Sequence, residues 1–213
     1  TFEAIQAGKL NLTDTLTASA HAASMGGSDI WLKEGEQMTV DDLIKATVIM
    51  SANDAAVVLA ENVAGSEEAF VQKMNDWVKS IGCNDTNFVN PDGLHDPNHY
   101  STAKDFATIT IEALKNADFN RISTTTSINF HNMKLPHTNL MLQPGYVTYY
   151  YEYAQGIKTG PTEEAEYCVI TKAAKDGYNY LAVVLKSPQQ AINGESYLTK
   201  CSFVDAKALF EWA

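Results

Sequence analysis

At about 150 residues per domain, a chain of 213 residues has room for one substantial domain with a buried core. Its 45% hydrophobic and 19% charged content excludes disordered, collagen-like and disulfide-scaffold chains. With 26 acidic against 15 basic residues, a net charge of −11 and Arg121 as the sole arginine, its surface is unsuited to nucleic acid.

Phe2, Ile5 and Leu10, with Gly8 near the stop, predict a helix at the start, so the sequence is expected to open inside a longer protein. Ala18 to Glu36 reads as loop with a short extended piece at Ile30 to Leu32. Thr39 then caps a helix whose Asp41 and Asp42 suit its positive end, and which stops near Met50. A second helix runs from Asp54 to Ala64 and ends at Gly65. A third, capped by Ser66, carries the stripe Phe70, Met74, Trp77, Val78 and Ile81. Cys83 to Tyr100 reads as loop, and Ser101 caps a fourth helix through Phe106, Ile109 and Leu114.

From Ile122 the pattern turns β-prone, with runs around Ser127, Gly156 to Gly160, Tyr167 to Ala174 and Tyr180 to Lys186. Asp176-Gly177 marks a hairpin between the last two, and Phe203 to Trp212 reads as a closing amphipathic helix. Helices first and strands afterwards predict an α+β fold, a helical cluster packed on an antiparallel sheet, within one domain spanning residues 1–213. No apolar run reaches the ~20 residues of a bilayer span, so membrane attachment is expected only through segments outside this chain.

Three cysteines without C-x-x-C spacing, Cys83, Cys168 and Cys201, read as buried thiols. His95 and His99 have the spacing of helical zinc ligands, but Pro97 between them removes the shared face, so neither metal nor cofactor is expected. The cluster Tyr146, Tyr149, Tyr150, Tyr151 and Tyr153 reads as a loop packed on the sheet ahead of a sugar-stacking surface.

Two tripeptides stand out as chemistry. Ser51-Ala52-Asn53 falls between two helices, where side chains project into a cleft, and Lys158-Thr159-Gly160 opens a β-prone run. Ser127-Ile128-Asn129 repeats the first pattern, but among β-branched residues, where a strand position suffices.

Longer blocks carry a resemblance. Trp31-Leu32-Lys33-Glu34-Gly35-Glu36, Ser51-Ala52-Asn53-Asp54-Ala55-Ala56, Ala64-Gly65-Ser66-Glu67-Glu68-Ala69-Phe70, Asn87 to Asp96, Tyr100 to Asp105 and Gly156-Ile157-Lys158-Thr159-Gly160-Pro161-Thr162 follow one another in order. Together they resemble low-molecular-mass penicillin-binding proteins, the serine D-alanyl-D-alanine carboxypeptidases, over nearly the whole chain. S-x-x-K, S-D-N and K-T-G form the signature set of that class and of β-lactamases.

The resemblance implies an extracytoplasmic enzyme that removes the terminal D-Ala from peptidoglycan stem peptides through an acyl-enzyme and is inhibited by β-lactams. It implies Ser51 as proton relay and Asn53 as a hydrogen-bonding partner of the catalytic lysine and acyl chain. Lys158, Thr159, Gly160 and Thr162 would bind the D-Ala-D-Ala carboxylate, which needs a charge-assisted partner to leave water.

The departures are informative. No S-x-x-K precedes Ser51, and the family layout places that segment, with its neighbouring strands, roughly ten residues upstream of Thr1. Ser101-Thr102-Ala103-Lys104 has the spacing but reads as a helix cap, and Ser24 and Ser28 have no lysine one turn on. Pro161 removes a backbone donor from the strand edge that the resemblance offers to a substrate, and Glu166 stands where the resembled family more often has a small residue. Two rivals remain: a β-lactamase, with Glu163, Glu164 or Asp96 for deacylation, and a wall protein that binds muropeptides without catalysis.

Overall fold

The computed structural model describes residues 1–130, 133–191 and 197–213. The helices end where glycine or a cap ends them. α1 (Phe2–Gln6) gives way to Gly8 at φ 68°. β1 (Thr15–Thr17) leads to α2 (Ala20–Ala23), and β2 (Gln37–Thr39) returns antiparallel to β1. The Thr39 hydroxyl accepts from Asp42 N at 3.2 Å and starts α3 (Val40–Lys45), which continues through a π turn at Ala46–Met50. α4 (Asn53–Ala64) stops at Gly65, and the Ser66 hydroxyl caps α5 (Glu67–Ser80) through Ala69 N at 3.2 Å. α6 (Ala103–Leu114) and α7 (Ala117–Ser123) complete the helical half.

Three readings of the sequence are corrected here. The segment read as loop before Glu36 contains α2, capped by the Ser19 hydroxyl on Ala22 N at 2.9 Å, while Ile30 to Leu32 is not strand. The cap of α6 is Thr102, whose hydroxyl accepts from Asp105 N at 3.1 Å. Ser101 instead meets the Thr86 hydroxyl at 2.8 Å. Ile122 belongs to α7 and is fully buried there, because Asn116 caps that helix through Phe119 N at 2.9 Å before the chain turns extended.

A hairpin of β3 (Ser127–Phe130) and β4 (Met133–Pro136) precedes the main sheet. That sheet is β5 (Ala154–Thr162), β6 (Glu166–Lys175) and β7 (Tyr178–Ser187), antiparallel in the order 5-6-7. Asp176 and Gly177, at φ 53° and 83°, form the two-residue loop between Lys175 and Tyr178, the geometry of a type I′ hairpin. Glu166 also takes a positive φ of 52°, and the β6–β7 register shifts between Tyr167 and Val169. β8 (Gln189–Gln190) pairs with β9 (Thr199–Lys200), and α8 (Cys201–Trp212) lies against β6 and β7.

The two halves keep separate cores. Leu43, Ile49, Val57 and Val58 centre the helical one, while Met141, Tyr151, Val169, Phe203 and Phe210 fill the space between sheet and α8. Each such side chain contributes about 1.5–3 kcal/mol on burial. Asp54 ties the helical core to the preceding loop. Its buried carboxylate accepts from Ile30 N (3.1 Å), Leu32 N (3.0 Å) and Ala55 N (2.8 Å), gripping the backbone on both sides of the exposed Trp31. Asp54→Ala strands these donors and is expected to cost about 2–3 kcal/mol, read as a fall in denaturant midpoint at constant m; an unchanged midpoint would show the loop is held otherwise.

Candidate active site

Ser51 owes its position to a break in helical geometry. The π turn ends with Ala52 N bonded to Ala46 O at 3.1 Å, and Ser51 takes the left-handed conformation, φ 63° and ψ 37°. That region is costly for a residue other than glycine and recurs where a side chain must be presented. α4 begins two residues later, so Ser51 stands at the joint between helices.

From the sheet, 107 residues on, Lys158 reaches the same point. Its Nζ donates to Ser51 Oγ at 2.6 Å and to Thr159 O at 2.7 Å. Removal from water pushes this ammonium down to about 8, from an ordinary value of 10.5. Thr159 Oγ1 donates to Thr138 Oγ1 at 2.7 Å, so three hydroxyls and one ammonium cluster at the edge of β5. Gly160 and Pro161 beyond them are exposed, and open space lies where a Cβ on Gly160 would stand.

A bulge aims the lysine. Gln155 pairs with Lys172 but Lys158 pairs with Ile170, so Gly156 and Ile157 together face one β6 residue. Their carbonyls are taken by another element: Asn139 Nδ2 donates to Gly156 O at 2.6 Å, and His137 Nε2 to Ile157 O at 3.2 Å. His137 Nδ1 accepts from Asn139 N at 2.9 Å, which requires the neutral Nε2–H tautomer; burial pushes this imidazole down to about 4. Gly156 is obligatory, since its φ is 60° and a Cβ would meet Ser123 O at 2.0 Å. Sequence reading missed His137, Thr138 and Asn139, which carry no local motif: His137 and Asn139 act through backbone carbonyls of a distant strand, and Thr138 through the Thr159 hydroxyl.

Of the residues singled out in the sequence, Ser51, Lys158 and Thr159 converge and Gly160 continues the same edge. Asn53 follows on α4, but its Nδ2 donates to Gly26 O at 2.7 Å, turning the carboxamide toward the Gly26-Gly27 loop. A Cβ on Gly27 would lie 2.7 Å from that nitrogen. Thr162 stands apart: four residues past Lys158, about 13 Å by strand rise, its hydroxyl accepts from Ala165 N at 2.9 Å and closes the β5–β6 turn.

The other candidates serve elsewhere. Ser101 lies in a network with Thr86 and the buried Asp105, and no hydrogen bond joins it to Lys104. His99 packs on Phe88, while His95 lies 3.8 Å from Glu164 across the turn after β5. Tyr149 and Tyr151 pack against Phe203 and Phe210 of α8, whereas Tyr146 and Tyr153 are exposed. All three cysteines are free thiols; Cys83 and Cys201 are buried, but Cys168 is only partly so.

A helical layer on an antiparallel sheet, with Ser51 at a helix joint facing a K-T-G strand, brings together two of the three motifs that mark β-lactamases and penicillin-binding proteins. The model of the D-alanyl-D-alanine carboxypeptidase family, peptidase S11, matches residues 1–189, and the chain belongs to that family. It is 40% identical over 187 residues to D-alanyl-D-alanine carboxypeptidase DacF of Bacillus subtilis, covering 85% of this chain and 46% of that protein. To DacC of Escherichia coli it is 33% identical over 190 residues, 86% of this chain and 46% of that one. Penicillin binding protein 5 from Haemophilus influenzae superposes with a TM-score of 0.84 at 29% identity, over 99% of this chain and 58% of that one. The chain thus spans about half the length of the curated relatives it matches.

Proposed function

We propose that the protein is a serine-type D-Ala-D-Ala carboxypeptidase, trimming the terminal D-Ala from peptidoglycan stem peptides outside the cytoplasm and trapped by β-lactams. The observation that carries this is the 2.6 Å contact between Ser51 and Lys158, joining two of the family's three motifs at one open strand edge. In this reading Lys158 and the Thr159 hydroxyl hold the substrate carboxylate, Gly160 lets its backbone approach, and Thr162 supports the strand end. Ser51 accepts from Lys158, which leaves its own proton free to pass to the leaving amine. Asn53 borders the cleft beside the Gly26-Gly27 loop. The nucleophilic serine and its lysine base belong to an S-x-x-K segment outside these 213 residues. Among the described residues no helix is long and apolar enough to cross a membrane.

Release of D-Ala from a peptide ending in D-Ala-D-Ala by the full-length gene product tests the reading; a folded protein that binds the peptide and releases nothing is instead a wall-binding module. Rapid turnover of penicillin, in place of a lasting adduct, would make it a β-lactamase.

The free-protein value of about 8 for Lys158 sets the alkaline limb of activity. Below it the ammonium is charged and attracts the carboxylate; above it the proton and the attraction are lost. kcat/KM is expected to fall as pH rises through about 8, by up to tenfold per unit, while a profile flat to pH 9.5 would remove Lys158 from carboxylate binding.

A further inference from the structure

The backbone of β5 offers a substrate one donor too few. Lys158 Nζ takes the carbonyl of Thr159 on the cleft side, so residue 159 turns its peptide groups away from β6. Groups alternate along an antiparallel strand, so residue 161 faces the same open edge. Proline fits β5 because it owes β6 no N–H there, and its exposed carbonyl remains as an acceptor.

A peptide laid along this edge with its carboxylate at Lys158 and Thr159 places the scissile carbonyl one residue inward. Outward-facing positions recur about 6.6 Å apart, which sets that carbonyl beside residue 161. An amide at this position would donate to it, and Pro161 has none. During acylation the serine oxygen bonds to the carbonyl carbon and the π pair moves onto oxygen. Collapse then returns the pair, breaks the C–N bond and sends the serine proton to the leaving amine. The missing donor is therefore felt when charge sits on that oxygen, more than when the substrate first binds.

We propose that Pro161 is a specificity- and rate-determining residue of this site: it leaves the scissile carbonyl without a strand donor and makes the protein a slow acyl acceptor. This rests on the carboxypeptidase reading. The experiment compares the full-length gene product with its Pro161→Ala and Pro161→Gly variants, using a fluorescent penicillin in stopped flow to separate the pre-covalent dissociation constant from the acylation rate. Both variants restore an N–H; alanine keeps the strand stiffer than glycine does.

The expected result is an acylation rate at least tenfold higher in both variants, with the roughly 10²–10³-fold associated with one oxyanion donor as the upper bound. The pre-covalent constant should change less than threefold. Equal or slower acylation in folded variants of a wild type that does acylate overturns the role of Pro161 alone. A faster rate arising wholly from tighter initial binding also overturns it, by showing ordinary strand pairing. No acylation in any of the three overturns the carboxypeptidase reading, and this inference with it.

Discussion

Replacing Lys158 by methionine in the full-length protein is expected to lower kcat/KM on a D-Ala-D-Ala peptide by roughly 10- to 100-fold while leaving the fold intact. The ammonium donates to Ser51 and Thr159 O, and no arginine stands near it in sequence to supply a substitute charge. Losing a charge-assisted hydrogen bond to the substrate carboxylate removes about 1.5–3 kcal/mol of transition-state binding. Methionine keeps most of the stem, so packing along β5 is preserved. Stability should not fall, because desolvation already disfavours the charged lysine in the folded state. Near-wild-type kinetics in this variant would take Lys158 out of the site.

The helices that carry Ser51 were legible because their caps and stripes are local. Thr39, Ser66 and Gly65 each mark a boundary within one or two residues of where the chain turns. The hairpin at Asp176-Gly177 was legible for the same reason. The pair β1–β2 was not: with three residues each, these strands are too short for a period of two to show, and their register comes from partners some twenty positions apart. α7 was hidden by its composition, since the β-branched residues after Ile122 continue past the helix end into β3.

The site divides the same way. Ser51 and Lys158 could be named from tripeptides, but what makes them meet could not. The π turn and left-handed backbone at Ser51, and the β5 bulge held by His137 and Asn139, are tertiary solutions to unpaired backbone groups. Polar side chains that satisfy distant carbonyls leave no periodic trace. Pro161 shows the converse: one residue in the sequence announces a missing donor, and only the strand register says which edge lacks it.

Incubated with a penicillin at pH 7, the 213-residue chain is expected to gain no mass, while the full-length gene product gains one equivalent. Acylation needs a hydroxyl beside a group able to take its proton. At pH 7, about one unit below its value of about 8, Lys158 is roughly 90% ammonium, so toward Ser51 it is a donor and not a base. Ser101 spends its hydroxyl on Thr86, and Ser24 on His21 O at 2.7 Å. Recognition is expected to survive in such a chain, because holding a carboxylate and breaking a bond use different groups.

The decisive comparison is the same incubation at pH 9, where Lys158 is mostly neutral and can accept the Ser51 proton across 2.6 Å. If the S-x-x-K serine is the nucleophile, the 213-residue chain stays unmodified at both pH values and the longer protein is labelled at both. An adduct on the 213-residue chain that grows with pH and maps to Ser51 would make Ser51 the nucleophile and Lys158 its base, reversing the relay role assigned to Ser51. An adduct mapping to Ser101 would show instead that its contact with Thr86 opens to let Lys104 act.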